Sequence, residues 1–325
     1  MKNKKLGVGF LGAGDVSNLH GQAVLSNSNA SLIGIWNRTE SKGIERAKQF
    51  SCRFYKEPLE LLNDPEVDVV FVLTNLETHL EYSKLAMQCG KHVLVEKPVG
   101  VSVDEIKEMK QTAEKEGVIL MPGHNVIYED GIIRIKEMIE SKQIGRVISF
   151  YYLFNSFFAE EVASRYPGVI RQIMTHHLYT LLYLVGNPKQ VMAMKSCLHY
   201  ENLDKEDAAM AVLKLENDAL AYLNASFAAD DLTSDPWTFL IKVIGTEGTG
   251  RYTWADWVLA KKGISHSKAY LGYDYGIKRE VDYFIDICIN GGRPLSTIDD
   301  ALKAQMTMDA IELSIEKNCF IDLKF

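Results

Sequence analysis

Between residues 6 and 27 the sequence commits itself to a strand, a glycine turn and a helix. Leu6-Gly7-Val8-Gly9-Phe10-Leu11 is an apolar run that reads as a buried strand. Gly12-Ala13-Gly14-Asp15-Val16-Ser17 follows at once and opens a helix over about residues 16–27. Gly12 permits the tight turn, and Gly14 lets a ligand's pyrophosphate approach the backbone. The small Ser17, where a third glycine or alanine is usual, lets the helix pack closely on the strand. A diphosphate in this turn lies at the positive end of the helix, beside Asp15 and Val16. In this context the pattern predicts a dinucleotide-binding Rossmann domain.

The segments that follow keep the same rhythm. Residues 31–36, Val67–Leu73, 92–95 and 118–121 read as strands, alternating with helices over 40–50, 78–89 and 103–116. Such alternation implies a parallel sheet built from βαβ units. After residue 145 the pattern changes to aromatic-rich strand signals over 146–154, 189–200, 208–215, 219–228 and 237–244. Turn signals such as Glu216-Asn217-Asp218 make this sheet largely antiparallel. One helix, about Val169–Val185, interrupts it and stops at Gly186-Asn187-Pro188. Helices near 278–289 and 298–317 close the chain. A chain of 325 residues exceeds one ordinary core. The expected α/β fold is therefore a doubly wound Rossmann domain over 1–122 and an α/β domain over 123–325 with an open, mostly antiparallel mixed sheet.

Charge and cysteine content exclude several functions. A net charge of −7 leaves no basic surplus to neutralise phosphates, so nucleic acid is not an expected partner. No apolar run approaches the ~20 residues of a membrane span. Lys2, Lys4 and Lys5 ahead of an apolar stretch mimic a secretion signal, but the glycine turn accounts for that stretch better. The 5 cysteines are odd in number and form no C-x-x-C pair, which favours a reducing cytoplasm over a disulfide framework or zinc site.

The end of the second predicted strand bears on cofactor choice. An acidic residue there would bond a ribose 2′-hydroxyl and select NAD. This chain has Trp36-Asn37-Arg38-Thr39 instead. Asn37 supplies no carboxylate, and Arg38 can pair with a 2′-phosphate. The expectation leans to NADP and leaves NAD open.

At this point the sequence resembles the Gfo/Idh/MocA oxidoreductases, named for glucose–fructose oxidoreductase and inositol dehydrogenase. The resemblance runs over almost the whole chain. It includes the Gly12–Ser17 turn, Thr74-Asn75 and His79 after the third strand, and Gly90-Lys91-His92-Val93-Leu94-Val95-Glu96-Lys97-Pro98. It continues through Ile144-Gly145 and Ile244-Gly245-Thr246-Glu247-Gly248-Thr249. The resemblance implies that Thr74, Asn75, His79, Glu96 and Lys97 border the cofactor and that Lys97 is catalytic. The residue-level reading agrees for Lys97, since doubly wound folds bind ligands at the carboxyl ends of their strands. An amine there can bond a substrate hydroxyl and stabilise developing alkoxide charge. Glu96 orients Lys97 or contacts the cofactor, and His79 packs beneath the loop more readily than it acts chemically.

The second catalytic element departs from the family pattern, which has an Asp followed four residues later by His on one helical face. Counting back from Leu184-Val185-Gly186, the histidine falls on His176 and the Asp position on Gln172. A helix-anchoring Asp becomes Tyr179, and His177 is an alternative to His176 one residue away. Gln172 can bond a hydroxyl but cannot act as a base. The family's arginine or tyrosine after the sixth strand is replaced in Gly123-His124-Asn125-Val126-Ile127. The expected catalytic pair is Lys97 and His176, with Asn125, Gln172 and His177 binding a polyol or sugar substrate and no metal involved. The expected reaction is hydride transfer between NAD(P) and a sugar, cyclitol or related compound. Two rivals stand beside it: an enzyme that retains NAD and uses transient oxidation for elimination or glycoside cleavage, and a non-catalytic dinucleotide-binding regulator. Aromatic strands such as Phe150-Tyr151-Tyr152-Leu153-Phe154 suggest a homodimer or homotetramer through the second sheet.

Overall fold

The computed structural model describes residues 5–229, 239–253 and 271–325. Lys2 and Lys4, and residues 237 and 238 of the last expected strand, lie outside the described residues. The chain begins β1 (Leu6–Leu11), α1 (Val16–Ser26), β2 (Ala30–Trp36), α2 (Glu40–Phe50), β3 (Arg53–Tyr55), α3 (Pro58–Leu62) and β4 (Val69–Val72). It continues α4 (His79–Gln88), β5 (His92–Val95), α5 (Val103–Glu116), β6 (Leu120–Pro122), α6 (Asp130–Glu140), β7 (Val147–Asn155) and α7 (Glu160–Ala163). Next come α8 (Thr175–Val185), β8 (Pro188–Ser196), β9 (Ala208–Leu215), β10 (Leu220–Ser226), β11 (Phe239–Gly245) and β12 (Thr249–Tyr252). The last elements are α9 (Leu271–Asn290), α10 (Ile298–Lys317) and β13 (Ile321–Asp322).

The first unit runs through Tyr128 and also takes in Tyr273–Leu302. Its six-stranded sheet has the order β3-β2-β1-β4-β5-β6, and every pair is parallel. Strand order reverses between β1 and β4, the place where doubly wound sheets bind ligands. All four residues of β4 are buried because helices cover both faces, which is why the strand reads as an unbroken Val/Phe run. The α5 helix starts where Ser102 Oγ accepts the Glu105 N–H at 3.3 Å. It ends at Gly117, whose φ of 66° is left-handed.

The return of residues 273–302 differs from the expected division at 122/123. Phe284 of α9 is fully buried and packs on Phe71 of β4 at 5.8 Å. Asp282 accepts a hydrogen bond from Asn27 Nδ2 at 2.7 Å. These contacts join segments more than two hundred residues apart, which no local periodicity reveals. The boundary itself lies at Tyr128/Glu129, after a short 3₁₀ turn over Asn125–Tyr128.

The second unit comprises Glu129–Gly272 and Lys303–Phe325. Its seven-stranded sheet has the order β12-β11-β7-β10-β9-β8-β13. Neighbours β7 and β10 run parallel, and the other neighbouring pairs are antiparallel, as the mixed sheet requires. Along β7, Phe150, Tyr152 and Phe154 face inward and are buried. Phe239 of β11 stacks edge-on against Tyr152 at 5.3 Å and Phe154 at 6.4 Å. The aromatic run thus supplies the unit's own core on one face. The opposite face exposes Met194, Met210, Val212 and Leu220.

Candidate active site

The glycine turn after β1 has the shape a diphosphate needs. Gly12 adopts φ +116°, and a Cβ there would lie 2.5 Å from Leu73 O, so only glycine fits between the two strands. At Gly14 nothing lies within 4 Å of a Cβ position, so the backbone opens to solvent. Ser17 is fully buried and its Oγ donates to Gly14 O at 2.5 Å. The third small residue therefore packs the helix and also ties the turn. Asp15 stands at the N-cap of α1, and Val16 opens the helix. An open backbone cradle at the N-terminus of α1 fits the diphosphate of a dinucleotide.

Asn37, at the end of β2, points into this turn. Its Oδ1 accepts the Ala13 N–H at 3.0 Å and its Nδ2 donates to Thr39 O at 2.8 Å. Both polar atoms thus brace the cradle. Arg38 is exposed beside it. Arg46 of α2 also reaches the turn, donating to Gly14 O at 3.4 Å. Sequence reading missed Arg46, whose only signal is its place on the α2 face toward the glycines.

Beyond β4, Thr74 Oγ1 accepts from Thr78 Oγ1 at 2.9 Å, and Asn75 is exposed. His79 is buried, with Nδ1 2.9 Å from Pro98 O and Nε2 3.0 Å from Thr74 O. Both ring nitrogens face backbone carbonyls, and the neutral ring donates to one of them, so His79 packs between the loop after β4 and the loop after β5. Burial pushes its pKa below the usual histidine value, against the pull of these bonds and of the Glu96 charge.

Glu96 and Lys97 follow β5 directly. The Glu96 carboxylate is buried and accepts from the Lys97 backbone N–H at 2.9 Å. Its other oxygen lies 2.8 Å from His20 Nε2. Burial alone would raise its pKa, but the His20 bond and charge, followed by Lys97, hold it below the ordinary carboxylate value. Lys97 is half-buried. Burial lowers its pKa to about 8, against the opposing pull of the Glu96 charge. Gly123, after β6, would place a Cβ 3.2 Å from Glu96 Cα, so this glycine lets β6 close on the site. His124 is buried, with Nδ1 2.5 Å from Ser296 Oγ. Burial, then the Lys97 charge, lowers its pKa to about 3. Asn125 is also buried, inside the 3₁₀ turn. His20, His124 and Ser296 were not singled out from sequence. His20 lies three residues after Ser17 on the buried side of α1, which is the one available hint.

The second unit holds the histidine pair. Helix α8 is preceded by a π-helical turn over Ile170–Met174, so the expected continuous α-helix from 169 is modified there. Gly168, at φ +114°, would place a Cβ 2.3 Å from the Glu206 carboxylate, and that carboxylate accepts the Ile170 N–H at 3.1 Å. Arg171 pairs with Glu312 and Asp309. These anchors pin the widened turn from outside, and they change the i, i+4 geometry assumed for Gln172 and His176. Gln172 is half-buried. His176 is 8% exposed, and its Nδ1 lies 2.6 Å from the Tyr179 hydroxyl. Tyr179 is thus a direct partner of His176 where the family pattern has a carboxylate. His177 is fully buried, with its ring 3.9 Å from that of Tyr152 at 88°. Burial lowers its pKa to about 3. Among the described residues neither of its ring nitrogens has a hydrogen-bond partner. His177 therefore faces the sheet core. No described group of three or more His, Cys, Asp or Glu could hold a metal ion, and no described helix is long and apolar enough to cross a membrane.

This fold and turn define a protein with a Rossmann-type nucleotide-binding unit and a second, mixed-sheet unit. Residues 6–124 match the oxidoreductase family model with an NAD-binding Rossmann fold, and residues 132–251 match the GFO/IDH/MocA C-terminal domain. The chain belongs to the Gfo/Idh/MocA oxidoreductase family. It is 26% identical over 236 residues to myo-inositol 2-dehydrogenase of Thermotoga maritima, covering 67% of this chain and 68% of that protein. It is 30% identical over 141 residues to scyllo-inositol 2-dehydrogenase (NADP(+)) IolW of Bacillus subtilis, covering 41% and 39%. The match to the uncharacterized oxidoreductase YhhX of Escherichia coli is 29% over 189 residues and spans 56% of this chain and about half, 54%, of that protein. Among solved structures, GenD2 from gentamicin A biosynthesis, in complex with NAD, has a TM-score of 0.88 at 21% identity, covering 100% of this chain and 98% of that one. Scyllo-inositol dehydrogenase from Lactobacillus casei, with NAD(H) and scyllo-inositol, has a TM-score of 0.86 at 17% identity, covering 98% and 99%.

Proposed function

We propose that this chain is an NAD(P)-dependent dehydrogenase or reductase acting on a hydroxyl or carbonyl carbon of a sugar, cyclitol or related compound. The observation that carries this reading is the Lys97 amine at the carboxyl end of β5, with a pKa lowered by burial to about 8 beside a buried Glu96 carboxylate. An amine poised near working pH can take a proton from an alcohol or give one to a carbonyl. The bound nicotinamide supplies or accepts the hydride. Gly12, Gly14, Asp15 and Val16 hold the diphosphate, and Thr74 and Asn75 line the same end of the sheet. Arg38, with no carboxylate at Asn37, favours NADP. His176 is the second acid/base, Tyr179 its orienting partner, and Gln172 a donor to substrate hydroxyls. The Tyr179 contact favours an active histidine over the reading as a non-catalytic regulator.

The test is a screen of polyols and ketoses that follows reduced-cofactor absorbance, with Lys97→Ala beside the wild type. Lys97→Ala is expected to bind cofactor normally and to lose roughly 10²–10³-fold in kcat, the cost of removing a donor aimed at developing charge. For alcohol oxidation, kcat/KM of the wild type should rise with pH through about 8 as Lys97 loses its proton, and for reduction it should fall. Activity of Lys97→Ala within a few fold of wild type removes Lys97 from the mechanism. Cofactor binding without turnover of any substrate favours the regulator.

The relatives named for inositol oxidation support a cyclitol as the first substrate to try. The exposed Met194, Met210, Val212 and Leu220 face of the second sheet supports self-association through that face. All five cysteines are unpaired, in keeping with a reducing compartment.

A further inference from the structure

Behind Lys97 and Glu96 lie buried ionisable groups, His20 and Glu280, to which the proposed hydride transfer assigns no part. His20 of α1 is fully buried, its ring edge-on to Phe71 at 5.5 Å and 79°. That packing fixes the ring plane and aims Nε2 at Glu96 Oε1, 2.8 Å away. Glu96 Oε2 is occupied by the Lys97 N–H, so both carboxylate oxygens are held and the side chain has one orientation. A second buried carboxyl, Glu280 of α9, lies near. Burial, then the Glu96 charge, raises its pKa well above the ordinary value. The His124 N–H favours its charged form, but that group already donates to Pro122 O at 2.9 Å. Two donors thus favour the charged form of Glu96, whereas burial favours the neutral form of Glu280.

We propose that His20 is a positioning residue for Lys97, acting through Glu96: it holds that carboxylate in one place as the charged neighbour of the lysine, from the side away from solvent. The inference rests on the reading of Lys97 as acid/base, but it concerns the state of the chain alone. The groups around the carboxylate are His20 from α1, His79 from α4, Lys97 beside it and Glu280 from α9, while His124 bears on Lys97 from the turn after β6. Of these, His20 makes the side-chain hydrogen bond that favours Glu96 as an anion. Without that donor, a buried carboxylate loses its strongest support and takes up a proton. Lys97 then loses its neighbouring negative charge and releases its own proton more readily.

The experiment measures the pH dependence of competitive acetic anhydride labelling of the Lys97 peptide in the cofactor-free chain. Relative to wild type, His20→Leu and Glu96→Gln should each move the labelling inflection to lower pH by about one unit, a tenfold change in the protonation ratio. His20→Gln, which keeps an N–H donor, should restore most of the wild-type profile. The double variant His20→Leu/Glu96→Gln should match Glu96→Gln alone, because the influence of His20 passes through that carboxylate. Glu280→Gln should leave the inflection in place. An unchanged inflection in His20→Leu, or additive shifts in the double variant, overturns the proposal. So does a Glu280→Gln shift as large as that of Glu96→Gln, which would put the anion on α9. If His20→Leu does not fold, the proposal falls if Glu96→Gln leaves the inflection unchanged or if His20→Gln behaves like Glu96→Gln. A shift in labelling together with full turnover by Lys97→Ala would leave this inference standing and remove the catalytic reading.

Discussion

At the scale of single residues, two buried or bordering side chains lead to measurable outcomes. An unfolded histidine takes up a proton near pH ~6.5, whereas burial holds His177 neutral down to about 3. Between those values the unfolded chain binds a proton that the folded chain refuses. Stability is therefore complete above about 6.5 and falls as pH drops toward 3, by up to about 1.4 kcal/mol per pH unit. His124, lowered to about 3 as well, adds a loss in the same window. Urea unfolding at about pH 7.5 and about pH 5 should show His177→Met losing less stability on acidification than wild type. Equal losses would remove His177 as a source. Arg38 makes the second case. Asn37 spends both polar atoms on the backbone of Ala13 and Thr39, and on the proposed reading the exposed Arg38 is the group that meets a 2′-phosphate. By titration calorimetry Arg38→Ala should weaken NADP about tenfold, the worth of about one charge-assisted bond, and leave NAD unchanged. Unchanged NADP affinity, or wild-type NAD binding more than tenfold tighter than NADP, defeats the assignment. The tight turn at Gly12 and the open backbone at Gly14 were legible in the sequence because strand, turn and helix are contiguous. The part played by Asn37 was legible only as a missing carboxylate, since its bond to Ala13 spans 24 residues.

At the scale of the element, α8 and the turn before it carry most of what sequence left open. The helix and its stop at Gly186 follow from local signals, whereas the choice of His176 over His177 comes from the family resemblance counted back from that stop. The π turn does not follow from local signals, because it depends on Glu206 and on the Arg171 pairing with Glu312 and Asp309, all distant in sequence. Which histidine faces the core was open by spacing alone. The sheet decides it by taking His177 against Tyr152. Tyr179 stood in the sequence as the loss of an anchoring acid, yet its hydroxyl lies one helical turn from His176 and bonds Nδ1 at 2.6 Å. A ring held through Nδ1 presents Nε2 in a fixed direction, which is the service a carboxylate gives elsewhere. Tyr179→Phe keeps the packing and deletes the bond. It should lower kcat/KM about tenfold, the scale of one lost hydrogen bond, with little change in the unfolding midpoint. His176→Asn should lose nearly all activity. Full activity in Tyr179→Phe would leave the histidine oriented by something else.

For the whole molecule, the two architectures were legible and the path of the chain between them was not. Hydrophobic period distinguishes a parallel sheet buried on both faces from a sheet with an outer face, and it did so here. It carries no information on the return of α9 to the first unit, which rests on Phe284 against Phe71 and Asp282 with Asn27. The same period argument bears on assembly. Along β7 the inward row of Phe150, Tyr152 and Phe154 fills the unit's own core, so those aromatics say nothing about a partner. The outward rows of the neighbouring strands do. Met194 is 71% exposed, Leu220 59%, Met210 50% and Val212 48%. Met210 pairs with Met194 across β9 and β8, and Val212 pairs with Tyr222 across β9 and β10, so the row is contiguous. A monomer rarely leaves such a patch in water, and in a two-fold contact the same face of each chain meets its copy. Sedimentation of the wild type should therefore give a mass at least twice that of one chain. Met210→Lys combined with Val212→Lys places four like charges in a two-fold contact, which should shift the chain to monomer while its circular dichroism spectrum is kept. A monomeric wild type rules out this face as a contact between copies, and an unshifted mass in the double variant moves the contact elsewhere.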